Sequence, residues 1–90
     1  ELAQLSEDCA GYSDADLSNP QAIDEMVAQC TNELGSPSIL VNNAGIQHVA
    51  PVDDFPAEKW DAIIAVNLSA VFHTTRLCLP SMRQWGWGRI

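Results

Sequence analysis

The chain has 90 residues, 47% of them hydrophobic, and a net charge of −8 from 12 acidic against four basic side chains. Nucleic acids and anionic membrane surfaces bind through Lys and Arg, so this charge balance argues against both as partners. A chain of this length forms at most one small domain. No segment approaches the ~20 apolar residues of a membrane-spanning helix. We therefore expect a cytoplasmic globular protein.

The metal-binding residue types are scattered. Cys9, Cys30 and Cys78 are widely spaced and contain no Cys-x-x-Cys pair, and neither His48 nor His73 lies in a ligand motif. We expect no metal site, and reduced cysteines that pack as small hydrophobic side chains.

The first third of the chain predicts a helix end, a strand and a complete helix. Residues 1–6 are good helix formers, and residues 9–17 are a weak strand candidate. Ser18 is the expected N-cap of the next helix, which Gly35 ends. The apolar residues of that helix form a one-sided stripe: Ile23, Met26, Val27, Cys30 and Leu34.

The remaining two thirds predict a short strand at 38–41, a connection at 46–55, a long helix at 56–84 kinked by Pro80, and a strand beginning at 89. Strands that alternate with helices are typical of a parallel α/β sheet. The long helix carries an apolar stripe whose spacing places its members on one helix face: Trp60, Ile63, Ile64, Asn67, Leu68, Val71, Phe72, Thr75 and Leu79.

Polar residues at two places could serve function or structure. Asn67 is an amide on the apolar stripe, which either bonds a nearby backbone carbonyl or holds a water or backbone group at a reaction centre. Residues 42–45, Asn-Asn-Ala-Gly, follow the strand at 38–41. They form either an ordinary turn or the wall of a ligand site, since ligands bind at the carboxyl ends of parallel strands.

Two further sites are equally open. Asp16 with Leu17 could accept a hydrogen bond from the amino group of a bound base, or be solvated before a helix cap. Gln47 and His48 come after the Asn-Asn-Ala-Gly turn and could face a ligand or solvent.

Together these segments resemble the short-chain dehydrogenase/reductase family. Residues 42–45 match its Asn-Asn-Ala-Gly motif, residues 60–61 with 66–68 match the segment carrying its catalytic asparagine, and residues 16–17 match its adenine-contacting pair. The resemblance implies a Rossmann-type parallel sheet. This chain would hold its central β-α-β-α-β portion, as an incomplete dinucleotide-binding domain over residues 1–90.

Within the family, residues 43–52 and 67–76 are similar to the 3-hydroxybutyrate dehydrogenases. That resemblance implies oxidation of (R)-3-hydroxybutyrate to acetoacetate with NAD, by a homo-tetramer in which the long helix packs against a neighbouring subunit. The implied roles are a catalytic Asn67, a Gln47 that binds the substrate carboxylate, and cofactor contacts from Asp16, Leu17, Asn43, Ala44, Gly45 and Val66.

Other motifs of the family do not occur in the chain. The glycine-rich phosphate loop is missing, and Tyr12 and Lys59, the only tyrosine and lysine, do not form a Tyr-x-x-x-Lys pair. We expect an internal fragment whose catalytic Ser, Tyr and Lys lie elsewhere and which is inactive alone. The alternatives are another short-chain reductase, acting on 3-oxoacyl carrier protein or a sugar alcohol, and a non-catalytic domain that associates through its long helix.

Overall fold

The computed structural model describes residues 10–90. The helix end expected at 1–6 lies outside the described residues, as does Cys9. The elements are helix α1 (Pro20–Leu34), a 3₁₀ turn (Val52–Asp54), helix α2 (Ala57–Ile64), a π-helical turn (Ala65–Ser69) and helix α3 (Ala70–Trp85).

Helix α1 forms where its stripe and end signals predict it. The side-chain oxygen of Asn19 accepts hydrogen bonds from the backbone N–H groups of Gln21 at 3.0 Å and Ala22 at 3.4 Å. Asn19 is therefore the N-cap, and the predicted cap Ser18 is wrong, because its hydroxyl donates to Asp16 instead. Gly35 ends the helix with a φ of 97°, a conformation that favours glycine.

The long helix runs from Ala57 to Trp85 as α2, the π-turn and α3 in succession, close to the predicted bounds. The N–H of Ala70 donates to the carbonyl of Ala65, five residues earlier, as a π-turn requires. Helix α3 continues through Pro80, and Gly86 ends it in the left-handed region, with φ 74°.

The predicted strands do not form within residues 10–90. Ile39 and Arg89 make one isolated parallel bridge, in which the N–H of Arg89 donates to Ser38 at 3.0 Å and the N–H of Leu40 donates to Arg89 at 2.9 Å. The parallel direction matches the expectation. The partial sheet and the strand at 9–17 are not seen in the described part of the chain. A strand needs a neighbouring segment that forms hydrogen bonds with it over several residues, and the single bridge does not extend that far.

The core lies between α1 and α3. Ile23 of α1 is fully buried, and on α3 the side chains of Ala70, Cys78 and Met82 are 5%, 2% and 4% exposed. The exposed side chains of Asp24 and Arg76 join the two helices by an ion pair at 3.3 Å. Such a surface pair contributes little to stability, so apolar contact holds this helix pair together.

The apolar stripe of the long helix is only partly covered in this chain. Trp60, Leu68 and Phe72 are 59%, 64% and 61% exposed, because α1 packs against a different side of α3. Beyond the π-turn, the buried side chains of α3 lie on another face than Leu68 and Phe72: Ala70, Thr74, Cys78 and Met82. An apolar stripe shows which residues share a face, and what covers that face depends on other parts of a protein.

The continuous helix also corrects the expectation that no segment is long and apolar enough to cross a membrane. It has 29 residues, and the mean hydropathy of an 18-residue window within it is 1.5, with 17% of that window buried. Length and composition alone would therefore allow a membrane span. Core helices of soluble proteins also have this length and composition, so the finding identifies an uncovered apolar helix and does not decide what covers it.

Candidate active site

The side chain of Asn67 fixes the loop that follows the Asn-Asn-Ala-Gly segment. The N–H of Ile46 donates to Asn67 Oδ1 at 2.9 Å, and Asn67 Nδ2 donates to the carbonyl oxygen of Ile46 at 2.9 Å. A β-carbon at Gly45 would lie 3.4 Å from the same Oδ1 atom, so a small residue here suits the close approach of loop and helix.

Asn67 is exposed in this chain, so the buried amide predicted from the apolar stripe is wrong. Its two hydrogen bonds nevertheless satisfy the acceptor and one of the two donors that the sequence marked as costly. A structural and a functional role of Asn67 are compatible, because an amide that bonds to the backbone of a loop also fixes the position of that loop.

Asn67 lies within the π-turn Ala65–Ser69. Single π-turns inside α-helices are uncommon and are frequent at functional sites. The sequence pattern did not predict this turn, since apolar spacing carries no signal for one extra residue in a helix. The π-turn therefore supports the assignment of Asn67 to a site independently of any motif.

A second side chain of the long helix contacts the same loop segment. The hydroxyl of Thr74 donates to Asn42 Oδ1 at 2.7 Å, and Thr74 is 7% exposed. Sequence reasoning missed this residue. The available signal was a small polar residue two helical turns after Asn67.

A cleft of about 230 Å³ lies between the segment 40–44, the long helix, and Leu17 and Met26 before and within α1. Four of the predicted cofactor residues line it: Leu17, Asn43, Ala44 and Val66. Asn42 and Thr74 line it as well. Its volume lies below the roughly 300–1,000 Å³ of a typical ligand pocket.

The other predicted residues lie outside this lining. Asp16 is exposed, and its Oδ1 accepts hydrogen bonds from Ser18 Oγ at 2.7 Å and the Ser18 N–H at 2.9 Å. The Ser18 hydroxyl, and then its N–H, lower the pKa of Asp16 from its usual 3.8. The carboxylate is therefore ionised at neutral pH and can accept a further hydrogen bond from a ligand.

Gln47 comes directly after the residue that Asn67 holds, and its side chain is exposed. The ring of His48 lies edge-on to Phe55, with 5.3 Å between ring centroids. Neither side chain makes a hydrogen bond to another residue within 10–90. Gln47 thus follows a residue whose backbone is held and exposes its amide, while His48 packs against an aromatic neighbour.

No group of three or more His, Cys, Asp or Glu side chains within residues 10–90 is placed to hold a metal ion. The features brought together are a wall of small residues, an ionised acid adjacent in sequence to Leu17 of the cleft, and an amide and a hydroxyl of the long helix that hold the loop segment at its two ends. Such a set of residues can bind and orient an uncharged ligand that forms hydrogen bonds, such as a nucleoside.

Comparisons with known proteins match the whole chain. Residues 1–90 match the family model described as short chain dehydrogenase. A D-beta-hydroxybutyrate dehydrogenase of Cupriavidus necator is 54% identical over 91 residues, covering 100% of this chain and 35% of the relative. A second enzyme of that name, from Rhizobium meliloti, is 49% identical over 90 residues, again 100% and 35%. The chain thus spans about a third of the length of these relatives.

Solved structures agree with the family match. A metagenomic short-chain oxidoreductase in complex with NADP is 34% identical, with a TM-score of 0.82 over 88% of this chain and 36% of the other. A short-chain dehydrogenase from Streptomyces avermitilis is 26% identical, with a TM-score of 0.87 over 97% and 32%. The described helices and loops therefore take the arrangement found in such proteins.

Proposed function

Since the chain belongs to the short-chain dehydrogenase family, we propose that the protein containing it is an NAD-dependent 3-hydroxybutyrate dehydrogenase. It would oxidise (R)-3-hydroxybutyrate to acetoacetate. Two relatives named D-beta-hydroxybutyrate dehydrogenase, 54% and 49% identical, support this substrate. Residues 1–90 would be the central part of its dinucleotide-binding domain.

The observation that carries the proposal is the cleft, which brings Leu17, Asn43, Ala44 and Val66 together from three parts of the chain. These side chains suit a dinucleotide, because apolar groups can pack against the flat face of a base and small ones let a ligand approach the backbone. A solved relative described as a complex with NADP supports a nicotinamide cofactor. The resemblance implies NAD, whereas this solved relative is in complex with NADP. The assay therefore uses both cofactors.

In this proposal Asp16 accepts a hydrogen bond from the adenine amino group. Its ionised carboxylate, with one oxygen held by Ser18, supports that role. Asn43, Ala44 and Gly45 form the wall on the cofactor side. The bound cofactor supplies the acceptor for the hydride that leaves the carbon bearing the hydroxyl group.

Gln47 would donate a hydrogen bond from its amide to the substrate carboxylate. Its support is its position directly after Ile46, whose backbone Asn67 holds by two hydrogen bonds of 2.9 Å. Asn67 is assigned as the catalytic asparagine of the family, and it would hold the loop and a water near the reacting groups. The hydroxyl proton of the substrate would pass to a tyrosine outside residues 1–90, so this chain alone is expected to be inactive.

We also propose that the intact protein is a homo-tetramer in which the long helix packs against another subunit. The exposure of Trp60, Leu68 and Phe72, at 59%, 64% and 61%, supports a covered face there. Light scattering of the full-length protein should give the mass of four chains, and a monomer would contradict this assembly.

The test uses the full-length protein with (R)-3-hydroxybutyrate and either NAD or NADP, and follows the absorbance of the reduced cofactor. Replacing Gln47 by alanine should raise the KM for hydroxybutyrate roughly tenfold to a hundredfold, as expected for a lost hydrogen bond to a charged group. The KM for the cofactor should stay within about twofold of wild type, since the amide contacts only the substrate carboxylate.

Gln84→Ala is the matched control, because Gln84 is also exposed but lies at the end of α3. It should change neither constant. Equal losses of hydroxybutyrate and cofactor affinity in Gln47→Ala would contradict the role of Gln47. Turnover of 3-oxoacyl or sugar-alcohol substrates without turnover of hydroxybutyrate would replace the proposed substrate by one of those alternatives.

A further inference from the structure

The hydroxyl of Thr74 has three oxygen neighbours and one proton to donate. Asn42 Oδ1 lies at 2.7 Å, and the carbonyl oxygens of Ala70 and Val71 lie at 3.0 and 3.2 Å. Oδ1 carries no hydrogen, so an oxygen–oxygen distance of 2.7 Å is attractive only if the Thr74 proton lies between the two atoms. The proton is thus used on Asn42, 32 residues away in sequence, and not on the helix that carries Thr74.

This hydrogen bond is one of two anchors of the same short segment. Thr74 holds Asn42 at the start of the segment, and Asn67 holds Ile46 at its end. The residues between the anchors are the Asn-Ala-Gly stretch 43–45. Both anchors come from the long helix, so the helix fixes the segment at both ends.

The two anchors differ in burial. Thr74 is 7% exposed, whereas Asn67 and Asn42 are exposed. A buried hydroxyl that contacts a loop amide loses more when its partner is removed, because water cannot readily replace it. The Thr74 end is therefore the anchor that water replaces less readily, and it adjoins the part of the segment that lines the cleft.

We propose that Thr74 is a positioning residue for nicotinamide-cofactor binding, which acts by orienting Asn42 and with it the cofactor wall at 43–45. This inference rests on the proposed function. Thr74 also lines the cleft, so direct contact with the cofactor is the competing explanation that the experiment has to exclude.

The experiment measures the Kd for the cofactor, and its KM and kcat, in variants of the full-length protein. Thr74→Val keeps the shape and removes the donor, Thr74→Ser keeps the donor, and Thr75→Val is the matched control on the neighbouring residue. Loss of one hydrogen bond should raise the cofactor Kd of Thr74→Val about threefold to tenfold. The KM for the cofactor should rise with it, while kcat at saturating cofactor stays within about twofold.

Thr74→Ser should bind the cofactor within about twofold of wild type, and Thr75→Val should be unchanged, because each retains the donor at position 74. Asn42→Ala should show the same loss as Thr74→Val. In the double variant Thr74→Val with Asn42→Ala, the loss should be no larger than in Asn42→Ala alone, since both changes remove one interaction. Additive losses would show direct contact between Thr74 and the cofactor and would overturn the inference.

Wild-type affinity in Thr74→Val would also overturn it. If Thr74→Val does not fold, Asn42→Ala still tests the inference, because Asn42 is exposed. Normal cofactor binding by Asn42→Ala would exclude a role for Asn42 in positioning the cofactor wall. A wild-type protein that binds neither NAD nor NADP would overturn the proposed function as well. A wild type that binds the cofactor with unaffected variants would overturn this inference alone.

Discussion

Replacing Asn67 by alanine removes both hydrogen bonds that tie Ile46 to the long helix, each 2.9 Å long. A neutral hydrogen bond contributes a net ~0.5–1.5 kcal/mol. Asn67 is exposed, so water can take over part of each bond, and the two together should be worth about 1–2 kcal/mol. Alanine also favours a helix over asparagine by up to about 0.7 kcal/mol, which would hide part of the loss.

Asn32→Ala isolates the helix term, because Asn32 is an exposed asparagine inside α1. In urea unfolding of the full-length protein, the difference between the two variants should be about 1–2 kcal/mol. Asn67→Asp keeps the acceptor but turns an oxygen towards the Ile46 carbonyl, so it should be at least as destabilising as Asn67→Ala. Hydrogen exchange gives the local measurement, and the Ile46 amide should exchange roughly 5- to 30-fold faster in Asn67→Ala.

Equal unfolding free energies for Asn67→Ala and Asn32→Ala would refute this reasoning if exchange at Ile46 were also unchanged. That pair of results would mean that the loop holds its position without the helix. The π-turn would then need an explanation other than the placement of Asn67.

Two further predictions concern pKa values. Ser18→Ala should raise the pKa of Asp16 towards 3.8 in an NMR titration, and an unchanged titration would contradict the hydrogen bonds from Ser18. Because the pKa of Asp16 is lower in the folded protein than in the unfolded chain, the stability that its carboxylate contributes is present above pH 3.8 and is lost as the pH falls through the pKa of the folded protein. Burial, and secondly nearby Cys30, raise the pKa of Cys78 from 9.0, and its side chain is 2% exposed. Alkylation of the native protein should therefore be slower at Cys78 than at Cys30, and equal alkylation rates would contradict this prediction. The stability that the buried Cys78 thiol contributes should fall above pH 9.0, because the thiol of the unfolded chain ionises there.

The sequence predicts α1 and the long helix well because their signals are local. A one-sided stripe, a polar residue before Pro20 and a glycine at position 35 act within a few residues of one another. The strands depend on partners far along the chain, and within residues 10–90 only the bridge from Ile39 to Arg89 forms. Propensity therefore identified where a strand could lie without showing that it pairs.

In the candidate site, too, local signals were predictable from the sequence and partners distant in sequence were not. Asn67 was singled out because an amide on an apolar stripe requires a partner, but the partner, Ile46, became known only from the fold. Thr74 was missed, because a threonine in a helix can satisfy its hydroxyl on its own helix and so gives no comparable signal. The stripe identified which residues of the long helix share a face, but periodicity does not identify the layer that covers that face.

The π-turn Ala65–Ser69 has a consequence for comparing this chain with its homologues. In a regular α-helix, loss of one residue rotates everything beyond it by about 100°. Loss of one residue within this turn would instead restore regular hydrogen bonding, so helix content would barely change. The two halves of the helix would nevertheless turn against each other, and Asn67 could no longer reach Ile46. We therefore expect that a homologue with a single gap at this place keeps the helix but loses the contact of Asn67 with Ile46.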